Sequence, residues 1–262
     1  MSDILESKTI SSFKKKVSLV FNFAIFNIQL RYKNSYLGIM WSALEPLLYF
    51  SVLYVVFTGI RGRQEDFAIY LITGIMMFHI FTRGTSGGLA SLTSHSGIIQ
   101  SLRIKRDFFP IFTVTATVLL AFVDVGVFFA LMPVFQFTPS ITLILLPIPL
   151  ILLFILVLGL SYLLSIVTVY IRDIQIIWPI FTHTLLFVSP IFWKTNEVQG
   201  ILLSIQKINP LGQIIELAHR LVIDGTIPPI NDWIYTTLFV VGIFVVGYLV
   251  FRKLEERIVE EF

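Results

Sequence analysis

Six apolar segments of bilayer length constrain the fold of this 262-residue chain more than any other feature. A transmembrane helix needs about 20 predominantly apolar residues to cross roughly 30 Å of hydrocarbon. The chain is 56% hydrophobic and only 13% charged, against about 25% charged residues in soluble domains. We therefore predict an all-α membrane protein, a single membrane domain over residues 1–262. Its six transmembrane helices are predicted at residues 35–57, 67–92, 108–133, 140–170, 174–193 and 233–251.

The basic residues indicate how the chain is oriented. Lys8 and the run Lys14, Lys15, Lys16 precede a stretch rich in Phe, Ile and Leu, which predicts an N-terminal amphipathic helix over residues 8–33 at the cytoplasmic membrane surface. Of the 19 Lys and Arg residues, thirteen fall in segments on the same side as the N-terminus. Since basic residues collect in cytoplasmic loops, we predict a multi-pass protein of the cytoplasmic membrane with both termini in the cytoplasm.

Residues 194–232 differ from an ordinary loop. A half-length apolar stretch is broken at Asn209-Pro210 and is followed by LGQIIELAHRLVI, whose apolar residues have helical spacing. We predict short re-entrant helices in the outer membrane face, which are tolerated only where protein or a water-filled cavity satisfies the backbone. The alternative is an external helical cap that covers the bundle.

Several kinds of chemistry are absent from the sequence. There is no cysteine, and no P-loop, H-E-x-x-H or G-x-S-x-G pattern occurs. The four histidines are scattered, so no metal site is predicted, and His79 and His183 are interpreted as residues that hydrogen-bond between packed helices. The chain is therefore expected to be neither an enzyme nor a cofactor-binding protein.

Ionisable residues inside predicted spans require a partner or a function. Glu45 and Arg83 fall at matching depths of the first and second spans, which suggests an ion pair between two helices. Alternatively, Arg83 extends to the cytoplasmic interface and Glu45 lies in a wet vestibule. Asp124, in the third span, either faces a cavity or caps a neighbouring helix.

Aromatic side chains are abundant in and near the first two spans. Trp41 lies near a span end, where an interfacial belt explains it. Tyr49, Phe50, Phe57 and Phe81 either offer platforms on which sugar rings slide, or pack against lipid and core.

Four stretches carry a resemblance to a known family. They are RYKNSYLGIMWSALEP at residues 31–46, IIQSLRIKRDFFPI at 98–111, VYIRDI at 169–174 leading to VSPI at 188–191, and NPL at 209–211. In this order and spacing they resemble the membrane subunit of ABC-2 type polysaccharide exporters, the permeases of O-antigen, capsule and teichoic acid. One departure is that Gln100-Ser101 stand where the family usually has a lysine pair, and Lys105 replaces a proline.

The resemblance implies an ATP-driven exporter in which this chain is the transport subunit. Two copies would form a channel and pair with two ATP-binding cassette subunits, which would bind the ATP and Mg. The implied substrate is a polyprenyl-diphosphate-linked polysaccharide, and membrane lipid is the other partner, with no role for nucleic acid. The alternative in the same family is an exporter of small molecules or lipids.

The resemblance also assigns roles to residues. The segment 93–106 would dock on the ATPase, although a simple head-group-binding basic loop is the alternative. The implied ATPase-coupling residues are Ser94, His95, Ser96, Ile99, Arg103, Lys105 and Arg106. As a hypothesis from residue type and position, the channel and substrate residues are Arg31, Lys33, Trp41, Glu45, Tyr49, Phe50, Phe57, Phe81 and Arg83. The implied outer gate consists of Asn209, Pro210 and Leu211.

Overall fold

The computed structural model describes residues 2–62, 66–101 and 105–255, and within those ranges the regular structure is helical throughout. We label the α-helices in chain order. They are α1 (Ser2–Arg31), α2 (Trp41–Arg61), α3 (Phe67–Ala90), α4 (Ser96–Ser101), α5 (Phe108–Val134), α6 (Pro147–Tyr170), α7 (Ile174–Val188), α8 (Ile201–Ile208), α9 (Pro210–Val222) and α10 (Ile230–Glu255).

The prediction of an all-α membrane protein is confirmed. In the described part of the chain, five helical segments are long and apolar enough to cross a membrane, and they correspond to the first four predicted spans and the sixth. These segments are Gly38–Ile60, Phe67–Ala90, Phe108–Val134, Ile141–Tyr170 and Ile230–Glu255.

The fifth predicted span is shorter than expected. A helix was predicted over residues 174–193, but α7 has 15 residues and ends at Val188, which gives about 22 Å at about 1.5 Å per residue. Ser189 is extended because the residue before a proline, here Pro190, avoids the helical region. The count of six full-length spans is therefore not confirmed, and residues 189–193 form an irregular segment instead.

Helix α3 lies at the centre of the fold. It contacts α2, α5, α6, α7 and α9. In its most apolar stretch 83% of the residues are buried, compared with 11% in the segment that contains α2. Its side chains from Phe67 to Phe81 form much of the larger of two clusters of buried apolar side chains, which we call the main core. A smaller apolar cluster joins the end of α3 to the start of α5 and to the last turns of α6 and α10.

The two short helices before the last span are present, as predicted. Helix α9 buries one side among α3, α6 and α10, and Leu211, Ile214, Ile215 and Ala218 are fully buried. Helix α8 is largely exposed and packs mainly on α9 and α7. Re-entry of this pair into the outer membrane face stays a prediction.

The long N-terminal helix α1 is also present and lies against α5. Its contact is aromatic, since Phe23 packs on Phe108 and Phe112 with ring centroids 5.3 and 5.8 Å apart. Lys14, Lys15 and Lys16 are exposed. Its position at the membrane surface stays a prediction.

Helices α6 and α10 approach each other closely at two glycines. A Cβ added at Gly159 would lie 2.6 Å from the Cα of Phe244, and one added at Gly247 would collide with the carbonyl oxygen of Gly159. Small residues allow backbones in membrane helices to approach, which increases van der Waals contact. The α6–α10 interface is thus fixed by backbone contact.

We predict that Gly247→Ala destabilises the protein by about 1–3 kcal/mol, the usual range for overpacking a well-packed interface. Gly242→Ala is the matched control on the same helix, because a Cβ there meets nothing within 4 Å. The measurement is the thermal unfolding midpoint of each purified variant in detergent. Equal midpoints for the two variants would contradict close backbone contact at Gly247.

Candidate functional site

A cluster of ionisable side chains lies between α2, α3 and α5. Arg83 donates from Nη1 to Oδ2 of Asp124 at 2.8 Å and from Nη2 to Oδ1 at 3.2 Å. The Asp124 side chain is 0% exposed and that of Arg83 is 5% exposed. A charge in such an environment is tolerated only when it is paired and hydrogen-bonded, and this two-point contact satisfies both oxygens.

His79 connects the Arg83–Asp124 pair to α2. Its Nδ1 lies 2.9 Å from Oδ1 of Asp124, and its Nε2 lies 3.3 Å from Oε2 of Glu45. The Glu45 side chain is 66% exposed, so the cluster runs from a fully buried end at Asp124 to an open end at Glu45. His79 and Arg83 are four residues apart on one helix and therefore share a face.

The open end of the cluster faces a cavity of about 260 Å³ between α2 and α7, which we call the α2/α7 cleft. Its floor is α3, and its polar lining comes from three helices. These polar residues are Glu45, Tyr49, His79, Thr82, Ser86, Thr182 and His183. Two prolines inside helices, Pro46 and Pro179, complete the walls. The cleft therefore offers hydroxyl, imidazole, phenol and carboxylate groups within an otherwise apolar bundle.

The cleft continues along α3 toward α4. A second cavity of about 390 Å³ shares Ser86 and Pro179 with the first and reaches Thr93 and Ser94. Trp178 of α7 borders it and donates from Nε1 to Oγ1 of Thr85 at 3.2 Å. The polar surface thus extends from the ionisable cluster to the segment that follows α3.

The predicted channel aromatics separate into two groups. Trp41 and Tyr49 are exposed and, with Glu45, line a groove of about 740 Å³ on the side of α2 that points away from the bundle. Phe50 and Phe81 are buried in the core instead, where Phe50 contacts the rings of Tyr54 and Phe135 and Phe81 contacts Trp178. In this structure they do not line the cleft, because their rings point to the interior of the bundle.

The remaining channel candidates are Phe57, near the end of α2, and two basic residues that precede α2. Phe57 stacks on Phe192 with ring centroids 5.0 Å apart. Arg31 is exposed at the end of α1, and a Cβ added at Gly87 would lie 3.9 Å from its Nη2. Lys33 is exposed two residues later. Arg31 is therefore close to the same stretch of α3 that borders the cleft.

Neither interpretation of Glu45 and Arg83 matches the geometry fully. Arg83 is buried and its ion-pair partner is Asp124, so the arginine does not extend to an interface. Glu45 pairs with His79 instead and is linked to Arg83 through that ring. Asp124 is neither open to a cavity nor a helix cap, because both of its oxygens are used within the cluster.

The predicted coupling residues lie around α4. Ser94 is exposed, while Ser96 and Ile99 are half-buried. His95 donates from Nδ1 to Ser91 O at 2.8 Å, and its ring packs on Phe109 and Phe112. Lys105 is exposed and Arg106 is half-buried. Arg103 lies outside the described residues.

The predicted gate residues form a buried junction. Asn209 caps α9, since its Oδ1 accepts from Leu211 N at 3.1 Å, and its Nδ2 donates to Ser189 Oγ at 2.9 Å. Pro210 occupies the first turn of α9, where its fixed φ is favourable. The NPL and VSPI stretches, 20 residues apart, are thus joined by a side-chain hydrogen bond.

Sequence reasoning missed the other half of this junction. Tyr70 of α3 donates from its hydroxyl to Trp193 O at 2.7 Å, and its ring stacks on His219 with centroids 3.7 Å apart. His219 Nε2 donates to Tyr70 O at 2.9 Å. Burial lowers the pKa of His219 to about 3, so the ring is neutral. No sequence motif marks Tyr70 or His219.

These bilayer-length helices, with a polar cleft leading from a buried ion pair, define a multi-pass helical membrane protein. The chain belongs to the ABC-2 type transporter family, whose profile matches residues 19–221. It is 27% identical over 239 residues to a Klebsiella pneumoniae protein named O-antigen export system permease protein RfbA, a match covering 89% of this chain and 91% of that protein. A Myxococcus xanthus protein of the same name is 21% identical over 173 residues, 66% of each chain. The predicted family is confirmed, and the chain is a membrane subunit of a transporter.

We predict that breaking the Arg83–Asp124 pair from either side destabilises the protein strongly. Asp124→Asn or Arg83→Met leaves a buried charge without its partner, which typically costs about 3–5 kcal/mol. The double variant Arg83→Met with Asp124→Leu removes both charges and should recover much of that loss. Unfolding midpoints in detergent measure all three variants, and a double variant less stable than both single variants would argue against the pair.

Proposed function

We propose that this chain is the transmembrane subunit of an ATP-driven exporter that moves a polyprenyl-diphosphate-linked polysaccharide across the cytoplasmic membrane. The observation that carries the proposal is the match to proteins named O-antigen export system permeases over 89% of this chain. The first predicted motif supports it, because that motif ends at Glu45 and Pro46, which line the cleft. The α2/α7 cleft has hydroxyl, aromatic and carboxylate groups of the kind that bind sugar hydroxyls.

A homodimer is the assembly that best completes this cleft. Exposed apolar side chains flank it on both sides, including Val52 and Val55 on α2 and Ile177 and Ile180 on α7. These faces suit lipid or a second apolar surface, whereas the polar lining between them suits neither. A second copy facing the first would enclose the two polar clefts in one channel and would leave the apolar flanks in contact.

Two ATP-binding cassette subunits would supply the energy, with ATP and Mg bound by those partners. The segment around α4 is the proposed docking point. Ser94 and Lys105 are exposed there, and Ile98 and Ile99 pack against the apolar cluster that holds the ends of α3, α5, α6 and α10. A push on α4 would therefore act on several long helices together.

The junction of Ser189 and Asn209 is the proposed outer gate. It lies at the end of α3 opposite α4, which agrees with a cytoplasmic ATPase and an external exit. The proposed orientation has both termini in the cytoplasm. The gate would open by separating the hydrogen-bonded Ser189 and Asn209 side chains, which join the segment after α7 to the start of α9.

The decisive experiment is to express the chain with an ATPase subunit encoded beside it, and to assay the purified complex in nanodiscs. We expect a complex of two permease and two ATPase chains whose ATP hydrolysis changes when polyprenyl-linked glycan is added. Hydrolysis that responds to simple lipids or drugs but not to glycan would favour the small-molecule exporter. Failure of the chain to associate with any ATPase would overturn the proposal.

We predict that Arg31→Gln with Lys33→Gln slows glycan export more than it weakens assembly with the ATPase. A charge-assisted hydrogen bond to a diphosphate is worth about 1.5–3 kcal/mol, so its loss should lower the export rate about tenfold or more. The matched control is Lys15→Gln with Lys16→Gln, which removes two exposed charges from α1. Export is measured in vesicles and assembly by co-purification, and parallel loss of both would refute a head-group role.

A further inference from the structure

The contact between Glu45 and His79 requires a proton between the two side chains. Asp124 receives Arg83 at both carboxylate oxygens, so it is ionised and can only accept hydrogen bonds. His79 Nδ1, 2.9 Å from Oδ1 of Asp124, is therefore the donor in that contact. The ring hydrogen of a neutral His79 is thus located on Nδ1.

This tautomer determines what Nε2 can do. A neutral ring with its hydrogen on Nδ1 has a lone pair at Nε2. Nε2 lies 3.3 Å from Oε2 of Glu45, and an ionised carboxylate also presents only lone pairs. Two acceptors at this distance repel each other unless one proton lies between them, either on Nε2 or on the carboxyl group.

The surrounding charges favour binding of that proton. Arg83 Nη2 lies 2.8 Å from Nδ1 and 3.3 Å from Nε2. Because Nη2 is close to both ring nitrogens at once, it lies over the face of the His79 ring and not in line with a nitrogen lone pair. The positive charge of Arg83 opposes protonation of that ring. The negative charges of Glu45 and Asp124 favour protonation of the ring. The two carboxylates and the one guanidinium in contact with the ring carry a net charge of −1, which one bound proton neutralises. Arg31 acts on Glu45 from farther away and opposes this.

Groups on other helices complete the electrostatic setting. Arg31 of α1 approaches α3 near Gly87, two turns beyond His79. His183 of α7 lines the same cleft, and its Nδ1 donates to Pro179 O at 2.7 Å. Among the described residues, His183 makes no hydrogen bond or ion pair with Glu45 or His79. It therefore provides a control within the same cavity.

We propose that Glu45 and His79 form a proton-binding site and that the bound proton holds α2 against α3. With the proton bound, the two side chains are joined and α2 closes one wall of the α2/α7 cleft. With the proton lost, the two acceptors repel each other. The aromatic contacts that hold α2 to the core begin at Phe50 and continue to Phe57. The first turns of α2, which carry Glu45, therefore move away from α3 and the cleft widens. This inference concerns the chain alone and is independent of glycan and ATPase.

The test uses a spin label in the cleft. The chain has no cysteine, so Ser86→Cys provides a single labelling site on an exposed position that lines both cavities. The full chain is labelled with a nitroxide in nanodiscs, and collision with a water-soluble nickel chelate is measured from about pH 5 to pH 9, which spans the usual titration of histidine. We expect the collision rate to rise with pH as the contact is lost.

Substitutions at Glu45 separate the proton from the contact. In Glu45→Gln the amide N–H donates to Nε2 without a shared proton, so accessibility should stay low at every pH. In Glu45→Ala the contact is absent, so accessibility should stay high at every pH. His79→Gln should also abolish the pH response, because the amide does not titrate.

His183→Gln is the matched control and should keep the pH response of the parent. Unfolding midpoints identify any variant that fails to fold. Among variants that fold, the proposal is tested by comparing the accessibility of Glu45→Gln, which should be low, with that of Glu45→Ala, which should be high. A parent whose accessibility is constant with pH would overturn the proposal. So would a pH response that persists in both Glu45 variants, or one that His183→Gln abolishes.

Discussion

The Arg83–Asp124 pair is the interaction on which the arrangement of the central helices depends. Both groups are buried in an apolar bundle, where an unpaired charge would cost several kcal/mol. The guanidinium contacts both carboxylate oxygens, so the pair specifies the rotation of α3 and α5 about their axes as well as their distance. Apolar packing alone would allow either helix to rotate more freely.

The packing of the helices differs between the centre of the molecule and α2. Helix α3 is packed on α5, α6 and α9, and α6 is joined to α10 by backbone contact at Gly159 and Gly247. These helices form a dense core. Helix α2 has few buried side chains and borders one edge of that core. A helix that is held at a few points, next to a polar cavity, is the element whose displacement disturbs the core least.

Sequence length and hydropathy predicted most of the helices, because burial of backbone groups in lipid leaves a long apolar run few alternatives. Helix α7 is shorter than predicted, because apolar residues continue to Trp193 but the helix ends before Ser189-Pro190. Hydropathy does not register this stop, whereas the restriction imposed by proline does. The predicted re-entrant segment depended on the same kind of signal, since Asn209-Pro210 begins a new helix.

The site was less accessible to sequence reasoning than the fold. Glu45, Arg83 and Asp124 were identified because charge within an apolar span is conspicuous, but their pairing depends on helix rotation, which sequence spacing does not give. His79 was interpreted as a residue that hydrogen-bonds between packed helices, and it does contact Asp124 of α5 and Glu45 of α2. Its link to the Arg83–Asp124 pair was not predicted, although its position four residues before Arg83 places both on one face of α3. Phe50 and Phe81 were assigned to a channel by residue type, and type alone does not distinguish the core face of a helix from an exposed one.

Helix α3 also connects the two ends at which distant motifs converge. At one end its last turn leads into α4 and the apolar cluster around Phe109. At the other end Tyr70 holds Trp193 and His219, next to the Ser189–Asn209 bond. A helix of 24 residues is about 36 Å long at about 1.5 Å per residue. Because its packed faces allow little bending, a displacement applied near α4 would reach the Ser189–Asn209 junction as movement of the whole helix.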